Sequence, residues 1–68
     1  MIEIEVGPDG IRLGQLLKYA GAVESGGEAK AVLEAGDVEV NGEVETRRGR
    51  QLGPGDVVAV HDRTWRLV

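Results

Sequence analysis

The sequence predicts an α+β fold in which two short helices pack on a small, mostly antiparallel sheet. Three observations carry this. Ile2, Ile4 and Val6 alternate with Glu3 and Glu5, which is the period of a half-buried strand. From Arg12 the period changes, and Leu13, Leu16, Leu17 and Ala20 fall on one helical face. Further on, Val38-Glu39-Val40 and Glu43-Val44-Glu45 flank Asn41-Gly42, the dipeptide that most favours a type I′ hairpin turn.

Between these landmarks the elements follow in order. The first strand ends at the turn cluster Gly7-Pro8-Asp9-Gly10, and Gly21 can close helix one in a left-handed conformation. Ser25 with Glu28 is a capping-box pattern that starts helix two, whose inward face is Ala29, Val32 and Leu33 and whose glycine cap is Gly36. Helices this short are marginal alone, so they depend on packing against each other and on strands. Thr46 to Gln51 reads as a polar, basic loop, and Leu52-Gly53-Pro54-Gly55-Asp56 as a turn. Val57-Val58-Ala59-Val60 is a further strand. Thr64 to Val68 is expected to form the last strand and to bring both termini into one sheet by pairing with Ile2 to Val6, Trp65 and Arg66 completing the core and its rim. No repeat, low-complexity segment or linker interrupts this order, so residues 1–68 are expected to form a single domain.

Composition narrows the class. A core built from 68 residues usually supplies only about 3–5 kcal/mol unless something staples it, and the absence of cysteine removes disulfides and thiolate metal sites. A reducing compartment, the cytoplasm, is the expected location. The N-terminus carries acids where a signal peptide carries bases, and no apolar run approaches membrane-spanning length. The net charge of −4 opposes phosphate binding, but it is segregated. Residues 1–10 and 24–45 are acidic, whereas 11–23 and 46–55 are basic, so local field rather than net charge decides what is attracted.

Catalysis finds little support in these residues. His61 is the only histidine and lacks partners for a metal site or a nucleophilic triad, so it is expected at the surface or a strand end. Glu3/Glu5 and Glu43/Glu45 sit at strand period, as on a solvated sheet face. The glycines build neither a Walker loop nor a G-x-G-x-x-G turn. No catalytic residue, metal ligand or cofactor is expected.

The basic residues offer more. Arg12, Gln15 and Tyr19 lie along one edge of helix one with Lys18 on the next flank, a cationic and aromatic edge suited to phosphates and unstacked bases. Ordinary exposed charges, with Tyr19 packed partly on the core, would leave the same pattern. Lys30 shares a flank of helix two with Gly26, and Gly26 and Gly27 leave first-turn amides open to an anion; close packing of the helices would use small residues equally well. Arg47, Arg48 and Arg50 form the strongest positive cluster, a mobile loop able to clamp phosphates through bidentate guanidinium contacts or, instead, to pair with Glu43 and Glu45.

Arg12-Leu13, Leu16-Leu17, Ser25, Ala29, Gly36-x-Val38-x-Val40-Asn41-Gly42 and Pro54-Gly55-Asp56-Val57 together resemble the ribosomal-protein S4-type RNA-binding domain, or alpha-L motif, over residues 11–60. More narrowly, Glu24-Ser25-Gly26, Ala29-Lys30 and Val44-Glu45-Thr46-Arg47 resemble the small free-standing YbcJ-like ribosome-associated proteins. The resemblance implies a non-catalytic monomer that binds RNA, ribosomal RNA in particular, or ribosome-assembly intermediates, through a basic face. It carries Arg12, Lys30 and Arg47 over to matching basic positions. Gly26 and Asp37 depart from it, standing where many members have a base. Two rivals are an acidic protein-interaction or assembly-factor module and a ubiquitin-like sulfur carrier. The ending Trp65-Arg66-Leu67-Val68 lacks the Gly-Gly terminus that the carrier chemistry requires.

Overall fold

The computed structural model describes every residue from Met1 to Val68. Its elements in chain order are β1 (Ile2–Ile4), β2 (Ile11–Arg12), α1 (Leu13–Tyr19), α2 (Gly26–Glu34), β3 (Val38–Val40), β4 (Glu43–Val44), β5 (Gln51–Leu52), β6 (Val57–Val60) and β7 (Arg63–Leu67). Two helices on a mixed, mostly antiparallel sheet is the expected class. The main sheet runs β1-β7-β6-β3-β4, and only the β1–β7 pair is parallel.

Strand period two explains the core. Val38 pairs with Val60 and Val40 with Val58, which in turn faces Trp65, so alternate residues of β3, β6 and β7 form one apolar face. That face buries against Leu13, Leu16, Leu17, Ala29 and Leu33 of the helices, with Leu52 and Val23 closing the ends. Arg63 lies over the Trp65 ring at 5.0 Å, close enough for cation–π attraction.

Helix ends follow the expected chemistry. Gly21 and Gly36 both have positive φ after the C-caps, and Asn41 and Gly42 both adopt positive φ in the β3–β4 turn, as a type I′ turn requires. Ser25 Oγ accepts from the Glu28 N–H at 3.1 Å, but Glu28 Oε1 reaches one residue further back, to the Glu24 N–H.

Four expectations change. Ile2 is 56% exposed, because β1 is the sheet's edge strand and covers less of the core than its alternation suggests. Arg12 is not helical: its φ of −79° and ψ of 150° are extended, and it pairs with Gln51 in the small β2–β5 ladder. That ladder was not expected, since two-residue strands show no period to read. Glu43 is exposed as on a solvated face, but Glu45 lies past the end of β4 and is buried, while Val44 is exposed.

Gly10 shows why the β2–β5 ladder needs its turn. Its φ is +77°, and a Cβ there would stand 2.0 Å from the Leu52 carbonyl oxygen. Gly10→Ala is therefore expected to destabilise the fold by about 2 kcal/mol or more. Gly27→Ala, in helical backbone with only Ser25 Oγ at 3.9 Å, is expected to stabilise it by roughly 0.5–1 kcal/mol. Urea midpoints of the two variants, measured side by side, check both signs.

Candidate functional site

The N-terminus of α1 organises the basic residues. Its first amides need acceptors from outside the helix. The segment after β4 supplies them: the Leu13 N–H donates to the Arg50 carbonyl at 2.8 Å and the Gly14 N–H to the Arg48 carbonyl at 2.9 Å. Arg12 Nη1 donates to the Gly49 carbonyl at 2.8 Å, and the Arg12 N–H to Gln15 Oε1 at 3.3 Å. Gly14 permits the approach, since a Cβ there would meet the Arg48 side chain at 3.2 Å. The arginine segment, expected to be mobile, is thus docked on the helix by its backbone.

Glu45 secures the other side of the same segment. Its carboxylate accepts from the Thr46 and Arg47 N–H groups at 3.0 and 3.1 Å, from Arg47 Nε and Nη2 at 3.2 and 2.9 Å, and from Arg50 Nη1 at 3.2 Å. These donors, the Arg47 side chain foremost, hold the Glu45 pKa down at about 2, against a desolvation that acts upward. The same pairing raises the Arg47 pKa.

The three arginines therefore differ. Arg50 is mostly covered, its side chain 33% exposed, and is tied to Glu45. Arg47 is bound edge-on to Glu45 yet remains 75% exposed. Arg48 forms no ion pair and lines an open groove of about 250 Å³ with Lys30, Leu33, Glu34 and Thr46. Lys30 is likewise unpaired, so α2 and the arginine segment present two free cations to one groove, Glu34 being its only acid. Sequence spacing suggested each base separately; Lys30 and Arg48 meet only through the fold.

Other expected site residues are placed elsewhere. Tyr19 is 65% exposed, not packed into the core, and lines a second notch with Glu5, Val6, Gly7, Gly10 and Ile11. Lys18 is exposed on the last turn of α1 beside it in sequence. A Cβ at Gly26 would meet nothing within 4 Å, so close helix packing does not account for that glycine. The Gly26 and Gly27 N–H groups make no hydrogen bond within the chain. Asp37, standing where a base was expected, lies 3.3 Å from His61 Nε2 at the exposed β6–β7 turn. The alternative that the arginines pair with Glu45 holds for Arg47 and Arg50; what sequence reasoning missed is the burial of Glu45, because a buried acid and a solvated strand acid look alike in one sequence.

Comparison with known proteins places this arrangement. The S4 domain family matches residues 2–68. A Bacillus subtilis (strain 168) protein named as a probable ribosome maturation protein, RlbA, is 47% identical over 57 residues, covering 84% of this chain and 80% of its own. YbcJ of Escherichia coli (strain K12) is 41% identical over 58 residues, covering 85% and 83%. The solution structure of E. coli YbcJ, described as revealing an alpha-L motif involved in RNA-binding, superposes with a TM-score of 0.76 at 33% identity, over all of this chain and 87% of that one.

The depressed Glu45 pKa gives a signed pH dependence. Its contribution is complete above the ordinary carboxylate value of 4.5 and is lost as pH falls toward about 2, because the unfolded chain takes up the proton first. Melting temperatures recorded from pH 6 to pH 2 are expected to fall more steeply for the wild-type chain than for Glu45→Gln. The variant is expected to start lower at pH 6 and to show weakened protection of the Leu13 and Gly14 amides in hydrogen exchange.

Proposed function

The chain belongs to the S4 domain family, and from that membership we propose that it is a small, non-catalytic RNA-binding protein acting as one domain. Its contact surface is the groove between α2 and the arginine segment. Lys30 and Arg48 are the principal phosphate ligands, Arg47 offers its free guanidinium edge, and Gly26 contributes its open amide at the start of α2. The shared groove carries this reading: two unpaired cations from distant parts of the chain converge there, on a frame of backbone hydrogen bonds.

Preorganisation matters for such a surface. A docked segment loses less side-chain and loop freedom on binding than a mobile one, so fewer contacts suffice. Arg12 and Arg50 act mainly by holding that frame, through the Gly49 carbonyl and Glu45 respectively. Ribosomal RNA, free or in an assembly intermediate, is the proposed target, supported by the ribosome maturation name of the B. subtilis relative. The cytoplasm is the corresponding place of action; no helix is long and apolar enough to cross a membrane.

Lys30→Ala with Arg48→Ala is expected to weaken RNA binding by at least tenfold at moderate salt while leaving the circular dichroism spectrum and melting temperature unchanged. Replacing Arg47 and Arg50 as well is expected to lower the melting temperature, because it strands the Glu45 carboxylate without its cationic partners. Unaltered affinity in the folded double variant would move the site away from the groove.

With about four phosphates of a mostly single-stranded target neutralised, log affinity is expected to fall with log salt at a slope of roughly −3. A slope near zero would refute the electrostatic reading. Crosslinking in cells followed by sequencing of the attached RNA identifies the target; enrichment of RNAs other than ribosomal RNA would replace it.

A further inference from the structure

The notch around Tyr19 lies outside the groove just described. It encloses about 160 Å³ between the end of β1, the Gly7–Gly10 turn and the last turn of α1. That is well below the roughly 300–1,000 Å³ of pockets that enclose a drug-sized ligand, so it suits one flat ring system and not a whole nucleotide. Three of its walls are set by the fold. Val6 and Ile11 are partly buried against the core, and Gly10 is restricted to glycine by the Leu52 carbonyl, which fixes the course of the turn along that side. Tyr19 stands 65% exposed at the rim with its hydroxyl unbonded.

Its electrostatics differ from those of the groove. Glu5 is the only charged side chain lining it, and Glu5 forms neither an ion pair nor a side-chain hydrogen bond. A free carboxylate repels phosphate and accepts hydrogen bonds, so it selects the donor-bearing edge of a base. Among the four RNA bases, guanine places two donors, N1–H and the N2 amino group, side by side where a carboxylate can accept both. Aromatic side chains stack on unpaired bases of single-stranded RNA, whose Watson–Crick edges then remain free to be read.

We propose that this notch holds a single unpaired guanine of the bound RNA, stacked on Tyr19 with its Watson–Crick edge on the Glu5 carboxylate. The inference rests on the RNA-binding reading and deepens it. Phosphates engage Lys30 and Arg48 at one end of α1, while a base is read at the other end, roughly 9 Å along the helix from Leu13 to Tyr19 at 1.5 Å per residue. Lys18, on the same turn as Tyr19, is placed to neutralise the phosphate of the inserted nucleotide.

Two measurements separate this inference from the reading beneath it. In the first, anisotropy compares an all-uridine oligoribonucleotide with the same oligomer carrying guanine, or adenine, at every third position. Wild-type protein is expected to bind the guanine oligomer at least about fivefold more tightly than the other two. Glu5→Gln is expected to abolish that preference, Tyr19→Leu to reduce it to the all-uridine level, and Tyr19→Trp to retain it. Equal affinities in the wild-type protein, or a preference that survives both Glu5→Gln and Tyr19→Leu, overturns the inference. The second measurement titrates guanosine, which has no phosphate, and follows amide resonances. Shifts at Gly7, Gly10 and Ile11 that uridine does not produce support the notch even if no oligomer binds, an outcome that defeats only the RNA-binding reading. Oligomer binding without guanosine-specific shifts defeats the notch alone.

Discussion

Glu45 accepts five hydrogen bonds, two from the Thr46 and Arg47 backbone N–H groups and three from the Arg47 and Arg50 guanidinium groups, and the basic surface takes its shape from that one buried carboxylate. A buried acid without partners would be strongly unfavourable, and here the partners are supplied by the same segment that the acid orders. Arg47 and Arg50 are turned toward Glu45 and Arg48 is left facing the groove. The arrangement divides three neighbouring arginines of one type into two that build and one that is free. Removing charge from the builders therefore acts on the frame, and removing it from Arg48 acts on the surface.

A second polar link ties the Asn41-Gly42 motif to the Pro54-Gly55-Asp56 motif. Asn41 Nδ2 donates to Asp56 Oδ1 at 3.0 Å, and Asn41 Oδ1 accepts from the Val57 N–H at 2.9 Å. Asp56 Oδ2 takes the Gly53 N–H at 2.9 Å, and these bonds, that from Asn41 first, lower the Asp56 pKa. The hairpin turn between β3 and β4 is thereby fastened to the turn that leads into β6. The Asp56 carbonyl also accepts from the Leu67 N–H, and the Gly55 N–H donates to the Leu67 carbonyl, so the end of β7 joins the same knot. The spacing in the sequence is the trace of a three-way junction.

Much of the fold was legible because its signals are local. The leucines of α1, the Ser25 cap, the Gly21 and Gly36 terminations and the Asn41-Gly42 turn each act within a few residues, and each appears where its chemistry requires. What escaped is mostly non-local. The β2–β5 ladder joins residues about forty positions apart through two short strands, and Ile2 is exposed because nothing pairs beyond β1. Glu45 escaped for a different reason: its partners lie within five residues, but strand alternation does not show that β4 ends at Val44 and the chain then turns its acid inward. The candidate site divides along the same line. Lys30 and the arginine cluster could be named from composition, whereas their meeting in one groove, and the separation of Tyr19 from it, follow only from how α1 is capped.

The net charge of −4 and an RNA partner are compatible on this geometry. At physiological ionic strength exposed charges are screened over about 8 Å, and the molecule measures 28 × 20 × 18 Å. Acids on the solvent side of the sheet, such as Glu3 and Glu39, pair in register with residues of neighbouring strands whose other face is the buried core, so the whole core separates them from the helices. A phosphate placed in the groove would face Lys30 and Arg48 directly and the distant acids through a screened medium. The local acid that counts is Glu34, and its place on the groove wall limits how many phosphates the groove can take. Charge segregation along the chain becomes charge segregation in space in part, because β3 and β4 carry Glu39 and Glu43 into the sheet and the arginine segment returns to the helix, while Glu34 stays at the groove. A small domain can in this way stay acidic overall and still present a positive surface to a polyanion.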